Sequence, residues 1–119
     1  MIHRLALALA FCLALPVVAS AQSPSGQSTS DHFRIESEAA QGRGGGPVVR
    51  GYVYNLYGAD APQVQILVEG LDAAGRPVSK AVQWVIGGVP AGGRRWFETA
   101  APAPGETFRV SVFSWTWTR

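Results

Sequence analysis

Alternating apolar and polar residues recur along most of the chain, and the clearest alternation lies in residues 64–75 (VQILVEGLDAAG). Val64, Ile66 and Val68 share one side of an extended strand, while the residues between them point to the other side. A period of two is typical of a half-buried β-strand. The run ends in residues 72–75, where Asp comes first and Gly last, as type I turns favour. The pattern therefore predicts a central strand that leads by a short hairpin into an antiparallel partner.

Five more segments carry strand-like patterns: residues 32–38, 48–56, 78–86, 94–99 and 107–118. Segments rich in glycine and proline separate most of them, which is typical of turns and loops. Lys80 interrupts an apolar side of the strand over 78–86, so it lies at a rim or on an edge strand guarded against pairing. Six short strands without a helical period outside the N-terminal leader predict an all-β sandwich, with a seventh strand hidden in a loop.

The strand over residues 48–56 (VVRGYVYNL) is rich in β-branched and aromatic residues, which suit a pleated surface. One face carries Val49, Gly51, Val53 and Asn55, and the other carries Tyr52, Tyr54 and Leu56. A glycine in the middle of a strand is typical of a bulge or of a close approach by another backbone. We expect one of these two at Gly51.

The last strand, over residues 107–118 (TFRVSVFSWTWT), is the most aromatic. Its alternation sets Phe108, Val110 and Val112 on one face and Phe113, Trp115 and Trp117 on the other. If the first set is core, the second is exposed, and exposed Trp and Tyr are typical of binding sites. The sequence thus gives a candidate binding patch of Tyr52, Tyr54, Phe113, Trp115 and Trp117. Alternatively, a bulge shifts the register, or the strand packs on both sides against the long glycine loop.

The N-terminus has the three parts of a secretory signal peptide: a short basic start, an apolar run over residues 5–15, and small residues at 19–21. We expect a helical leader over residues 1–21, cleavage near Ala21, and export to the periplasm or the medium. The apolar run is shorter than the roughly 20 residues that span a bilayer, so we expect no transmembrane anchor. Residues 22–30 (QSPSGQSTS) predict a disordered linker, and residues 31–119 the sandwich domain.

Charge and composition narrow the function further. The 119 residues include ten basic and eight acidic ones, and loss of Arg4 with the leader leaves nine against eight. A net charge this small creates no strong electrostatic field, so we expect no nucleic-acid partner. The only cysteine, Cys12, lies in the leader, and His32 is the only histidine after it. The acids Asp60, Glu69, Asp72, Glu98 and Glu106 are scattered singly, so we expect no catalytic residues, no metal and no cofactor.

Three segments together resemble a known family: residues 51–55 (GYVYN), residues 71–75 (LDAAG), and residues 90–92 (PAG) before an aromatic strand. The pattern, over about residues 48–112, is similar to that of the bacterial FxLYD family. The resemblance implies an antiparallel immunoglobulin- or fibronectin-like β-sandwich on an exported protein. It implies no activity, because sandwiches of this type carry many unrelated functions.

Two functions fit these observations, and both are non-catalytic. The first is an exported sandwich that contacts a protein or a cell-envelope component through its surface. The second is a carbohydrate-binding module, for which Trp115, Trp117 and a tyrosine would form a flat, coplanar row. An enzyme would require at least two acids, or His32, to converge in a pocket.

Overall fold

The computed structural model describes residues 25–118, and these residues form seven β-strands and no helix. The strands are β1 (Ser25–Thr29), β2 (Phe33–Gln41), β3 (Pro47–Asn55), β4 (Val64–Leu71), β5 (Pro77–Trp84), β6 (Arg94–Ala100) and β7 (Thr107–Trp115). The predicted all-β architecture is confirmed. The predicted signal peptide lies outside the described residues. No helix in the described part of the chain is long and apolar enough to cross a membrane.

The strands form two antiparallel sheets, ordered β1-β2-β3-β6 and β5-β4-β7. The chain crosses between the sheets after β3, β5 and β6. The Gly75 N–H donates to the Asp72 carbonyl (2.9 Å), which closes the turn between β4 and β5. The predicted hairpin is confirmed, and β4 is the central strand of the second sheet.

The core lies between the two sheets and takes alternate residues from the inner strands. Its buried side chains are Phe33, Ile35, Val49, Val53, Ala61, Val64, Ile66, Val68, Val85, Val89, Phe97 and Val110. The period-two pattern on β4 is reproduced in full, since its buried and half-buried residues alternate along the whole strand. On β6, Phe97 faces the core and Trp96 faces solvent.

Gly51 marks a close approach of two backbones. It pairs with Ser37 in a continuous β2–β3 register, so β3 has no bulge there. A Cβ at this position would lie 2.8 Å from the Ser37 Cα and would meet the Glu36 carbonyl oxygen even more closely. Any larger residue would therefore push β3 away from β2, which identifies Gly51 as a packing residue.

Strand β1 corrects the prediction of a disordered linker over residues 22–30 for residues 25–29, and residues 22–24 lie outside the described residues. Residues 25–29 pair with β2, from Ser25 opposite Glu38 to Thr29 opposite Arg34. The Ser28 hydroxyl also donates to the Val110 carbonyl on β7 (2.7 Å). Composition predicted disorder because β1 buries no apolar side chain. Backbone hydrogen bonds to the edge of β2 hold β1 in place instead. It brings the number of strands from the six predicted to seven.

Strand β7 contains a bulge that corrects the predicted register of its last residues. Val112 lies opposite Ile66 and Ser114 opposite Gln65, so Phe113 is an extra residue on β7. Phe108, Val110 and Val112 face the core side as predicted. After the bulge, Trp115 pairs with inward-facing Val64, and Trp117 packs against the core. The alternative of a register-shifting bulge is therefore the one that the structure shows.

Strand β5 forms an edge of the second sheet, with Pro77 at its start. Lys80 is exposed on this edge. Of the two positions predicted for it, a rim or an edge strand, the edge strand is the one observed. Its apolar neighbours are exposed too: Val78 (43 %), Val82 (42 %), Trp84 (51 %) and, after the strand, Ile86 (80 %). We call these four residues the β5 patch.

Candidate functional site

The outer face of the four-stranded sheet gathers aromatic, basic and acidic side chains. Because side chains alternate along a strand, every second residue of β2, β3 and β6 points away from the core. We call this surface the aromatic–arginine face: Arg34, Glu36, Glu38, Arg50, Tyr52, Tyr54, Arg94, Trp96 and Glu98. It is built on three directly paired strands, so a single register positions all nine residues.

One row across the face ends in an aromatic pair. Glu36, Tyr52 and Trp96 lie opposite one another on β2, β3 and β6. The Tyr52 and Trp96 rings are 5.2 Å apart at 71°, so they meet edge to face and form a corner. Such edge-to-face contacts contribute about 0.5–1.5 kcal/mol beyond the area they bury. Trp96 stays 47 % exposed, so the larger ring of the corner is open to a ligand.

The neighbouring row, Arg34, Tyr54 and Arg94, places two arginines over the two tyrosines of β3. Arg34 lies over the Tyr54 ring (3.9 Å to its centroid), and Arg94 lies over the Tyr52 ring (4.0 Å). The Tyr54 hydroxyl donates to Glu36 (3.0 Å) and accepts a hydrogen bond from Arg94 (3.3 Å). Arg34 also pairs with Glu36. Cation–π contacts and hydrogen bonds thus hold these side chains in fixed positions before any ligand arrives.

Two ionisable groups of the face are shifted by this network. The Tyr54 hydroxyl, followed by Arg34, lowers the pKa of Glu36 below its ordinary value of 4.5. The hydrogen bond to the Tyr54 hydroxyl raises the pKa of Arg94. Both groups are solvated and remain charged at neutral pH, so Glu36 acts there as a hydrogen-bond acceptor and Arg94 as a donor.

An open depression of about 590 Å³ lies on this face, between β1 and Trp96. Its walls include Gln27, Glu36, Glu38, Arg50, Tyr52 and Trp96. Arg50 pairs with Glu38 across the floor (3.2 Å). The volume falls within the roughly 300–1,000 Å³ typical of ligand sites. Because the depression is open, it suits a ligand that lies across the sheet rather than one that is enclosed.

The face is electrically balanced. Its three arginines, Arg34, Arg50 and Arg94, are matched by three glutamates on the same surface. Two of the arginines are paired directly with glutamates. A surface of this kind creates little net field, so it gives no long-range attraction to a strongly charged partner.

The structure separates the predicted binding patch into two groups and an isolated residue. Tyr52 and Tyr54 lie on the aromatic–arginine face, whereas Phe113 is exposed at the bulge of β7 (56 %). Trp115 and Trp117 join an end cluster with Phe33, His32 and Tyr57 at one end of the sandwich. Their ring planes differ by 64°, so they form no flat, coplanar row.

The end cluster closes the core at this end of the sandwich. The Trp117 ring is parallel to that of Phe33, with centroids 5.7 Å apart. The Thr118 N–H donates to the Asp60 carbonyl (3.0 Å) and holds the segment in place. His32 lies in the middle, 4.9 Å from the Tyr57 ring and 5.4 Å from that of Trp117. It thus packs edge-on among aromatic rings.

Within residues 25–118, no three side chains of His, Cys, Asp and Glu come close enough to hold a metal ion. Two acids of the aromatic–arginine face, Glu36 and Glu38, are engaged by arginine or tyrosine partners. The arrangement can bind and orient a ligand through stacking and hydrogen bonds.

Sequence reasoning did not assign Trp96, Arg34 or Arg94 to a site. Period-two alternation allowed either Phe97 or Trp96 to face inward, and it left open which strand lies beside β3. The detectable signal was the alternation of Arg94, Trp96 and Glu98 with buried Phe97. Comparisons of the chain with protein-family models, with curated proteins and with solved structures each gave no match.

Proposed function

We propose that the protein is an exported, non-catalytic β-sandwich that binds a protein or a cell-envelope component through the aromatic–arginine face. Export is inferred from the leader over residues 1–21. A role without catalysis is inferred because the two acids that line the depression, Glu36 and Glu38, are each paired with an arginine, and because His32 packs among the rings of the end cluster.

One observation carries the choice of face: Tyr52, Tyr54 and Trp96 lie together with arginines beside a depression. Trp, Tyr and Arg are the residues most enriched in binding hot spots. The β5 patch offers mostly aliphatic residues on an edge strand. In the end cluster, Trp115 and Trp117 cover Phe33, while Tyr57 (48 %) and Trp115 (38 %) keep part of their surface exposed.

We also propose kinship with the FxLYD-like, immunoglobulin-like domains. The support is the position of the shared segments: residues 51–55 in β3, the turn at residues 72–75, and residues 90–92 before β6. The Gly93 N–H donates to the Pro90 carbonyl (2.9 Å), which closes the turn ahead of Trp96. Kinship of this kind concerns the fold, and the ligand is inferred from the face alone.

The test compares two tryptophans with similar exposure on opposite sheets. The protein, expressed with its leader and purified, is incubated with washed envelope fractions of the producing cells, and the retained fraction is measured. We expect Trp96→Ala to weaken retention by about tenfold or more, as loss of a hot spot does. Trp84→Ala, on β5, is the matched control and should leave retention unchanged.

Equal retention of wild type and Trp96→Ala would contradict the proposal. Equal loss in both variants would point instead to nonspecific adhesion of exposed apolar side chains. Thermal unfolding of each variant should remain cooperative, since both side chains are about half exposed.

A further inference from the structure

We propose that the ligand of the aromatic–arginine face is an uncharged, extended glycan. This inference rests on the proposed function and names the chemical class of the envelope component. A sugar ring stacks on Trp96 in the corner with Tyr52, and Glu38 and Arg50 bind hydroxyl groups of the next sugars.

The charges of the face favour an uncharged ligand. Arg34 and Arg50 are each paired with a glutamate, and Arg94 is stacked on Tyr52. An anionic ligand would have to break these pairs and would leave carboxylates beside its own charge. A cationic ligand would meet the three arginines. A neutral, polar ligand disturbs none of these contacts.

The backbone groups of the inner strands are already hydrogen-bonded, which favours a ligand that binds to the side chains of the protein. Strands β2 and β3 are each paired on both sides, so their N–H and C=O groups are used within the sheet, and the free edges of this sheet are the outer edges of β1 and β6, beside the face rather than across it. An extended peptide gains most of its affinity by pairing with a free strand edge. A glycan brings its own hydroxyl donors and acceptors, which match the carboxylate oxygens of Glu38 and the N–H groups of Arg50.

The aromatic corner supplies the contact for the sugar ring itself. One face of a pyranose ring carries a row of C–H groups, which match the electron-rich face of an indole ring. Trp96 is 47 % exposed, and Tyr52 stands against it at 71°. The two rings therefore border a sugar on two sides. Because Arg94 is held over Tyr52 (4.0 Å), that side of the corner is fixed before binding.

The size and shape of the depression favour several linked sugars. It extends from Gln27 on β1 to Trp96 on β6, and thus across all four strands. Strands lie about 4.8 Å apart, so the surface is about 14 Å wide in this direction. This width exceeds a single sugar ring, and we expect affinity to rise with chain length.

Three neutral hexasaccharides serve as probes: cellohexaose, chitohexaose and maltohexaose, with polygalacturonate as the anionic comparison. Titration calorimetry with the purified protein should show binding of at least one hexasaccharide, about tenfold tighter than its disaccharide. Trp96→Ala should weaken that binding by about tenfold or more, and Trp84→Ala should not change it. Added salt should have little effect, because no charge is neutralised on binding.

Several outcomes would overturn the inference: no binding of any hexasaccharide at millimolar concentration, salt-sensitive binding of polygalacturonate alone, or equal loss in both tryptophan variants. Competition on envelope fractions separates this inference from the proposed function. If Trp96→Ala abolishes retention but the hexasaccharides neither bind nor displace the protein, the face binds another class of partner. If retention does not depend on Trp96, the proposed function itself is wrong.

Discussion

Asn55 is the buried polar side chain of the described core, with 1 % of its surface exposed. Its Nδ2 donates to the carbonyls of Ala59 (2.8 Å) and Val89 (3.1 Å), and its Oδ1 accepts from the Tyr57 N–H (2.9 Å). One amide thus ties the loop after β3 to the loop before β6. Buried polar groups are stabilising only when they are satisfied in this way.

We expect Asn55→Ala to lower the free energy of unfolding by about 2–3 kcal/mol, because buried backbone groups lose their partners. Urea denaturation measures this change. Gln83→Ala, which removes an exposed amide, is the control and should cost less than about 0.5 kcal/mol. Similar small losses in both variants would show that water or the backbone replaces the Asn55 contacts.

Glu36 gives the aromatic–arginine face a pH dependence. Its pKa is lowered in the fold, mainly by the Tyr54 hydroxyl and then by Arg34. Its contribution to stability is therefore complete above its ordinary value of 4.5, and is lost as the pH falls through the lowered pKa. The difference in urea midpoint between wild type and Glu36→Gln should be present at about pH 7 and shrink towards about pH 3.

The Tyr54→Phe variant tests the cause of this shift. It keeps the ring under Arg34 but removes the hydroxyl that donates to Glu36. The pKa of Glu36, followed by NMR titration, should be higher in Tyr54→Phe than in wild type. A pH-independent midpoint difference, or an unchanged Glu36 titration, would contradict this account.

Among the strands, β7 shows how one extra residue decides what a strand contributes. Phe113 adds a residue opposite the Gln65–Ile66 step and turns Trp115 towards the side of Val64. Trp117 can then stack on Phe33. Without the bulge, both tryptophans would point away from the core, because a shift of one residue reverses every later side chain.

We expect deletion of Phe113 to lower the free energy of unfolding by about 3 kcal/mol, since the cover of Phe33 is lost. Tryptophan emission should also shift to longer wavelength as the indole rings enter water. Phe113→Ala keeps the residue count and changes an exposed side chain, so it should cost less than about 1 kcal/mol. Equal effects of the two variants would show that the bulge does not set the orientation of Trp115.

For the whole molecule, the sequence predicted what depends on local pattern and missed what depends on pairing between distant strands. Alternation located β2 to β7 to within a few residues, including the turn at Asp72 and the edge position of Lys80. It missed β1, because Ser and Gln carry no hydrophobic signal and pairing with β2 supplies the stabilisation. It left the side of Trp115 open between an outer face and a bulge-shifted register, because a bulge leaves no mark in a period of two.

The site was partly predictable for the same reason. Tyr52 and Tyr54 were placed on an outer face by alternation within a single strand. Their neighbour Arg34, on β2, precedes Tyr52 by 18 residues in the sequence, and Trp96, on β6, follows it by 44. Only the order of the strands in the sheet brings these residues together. Long-range pairing of this kind is decided by the packing of the whole core.

The alternation of β3 has a consequence for how such a protein changes over time. Val49 and Val53 hold the core, while Tyr52 and Tyr54, on the same strand, face solvent. Gly51 fixes the register between these two sets, because only a residue without Cβ fits against Ser37. Substitutions at the outward positions can therefore alter the chemistry of the outer surface without altering the fold. Core packing and surface chemistry are inherited on alternate residues of a single strand.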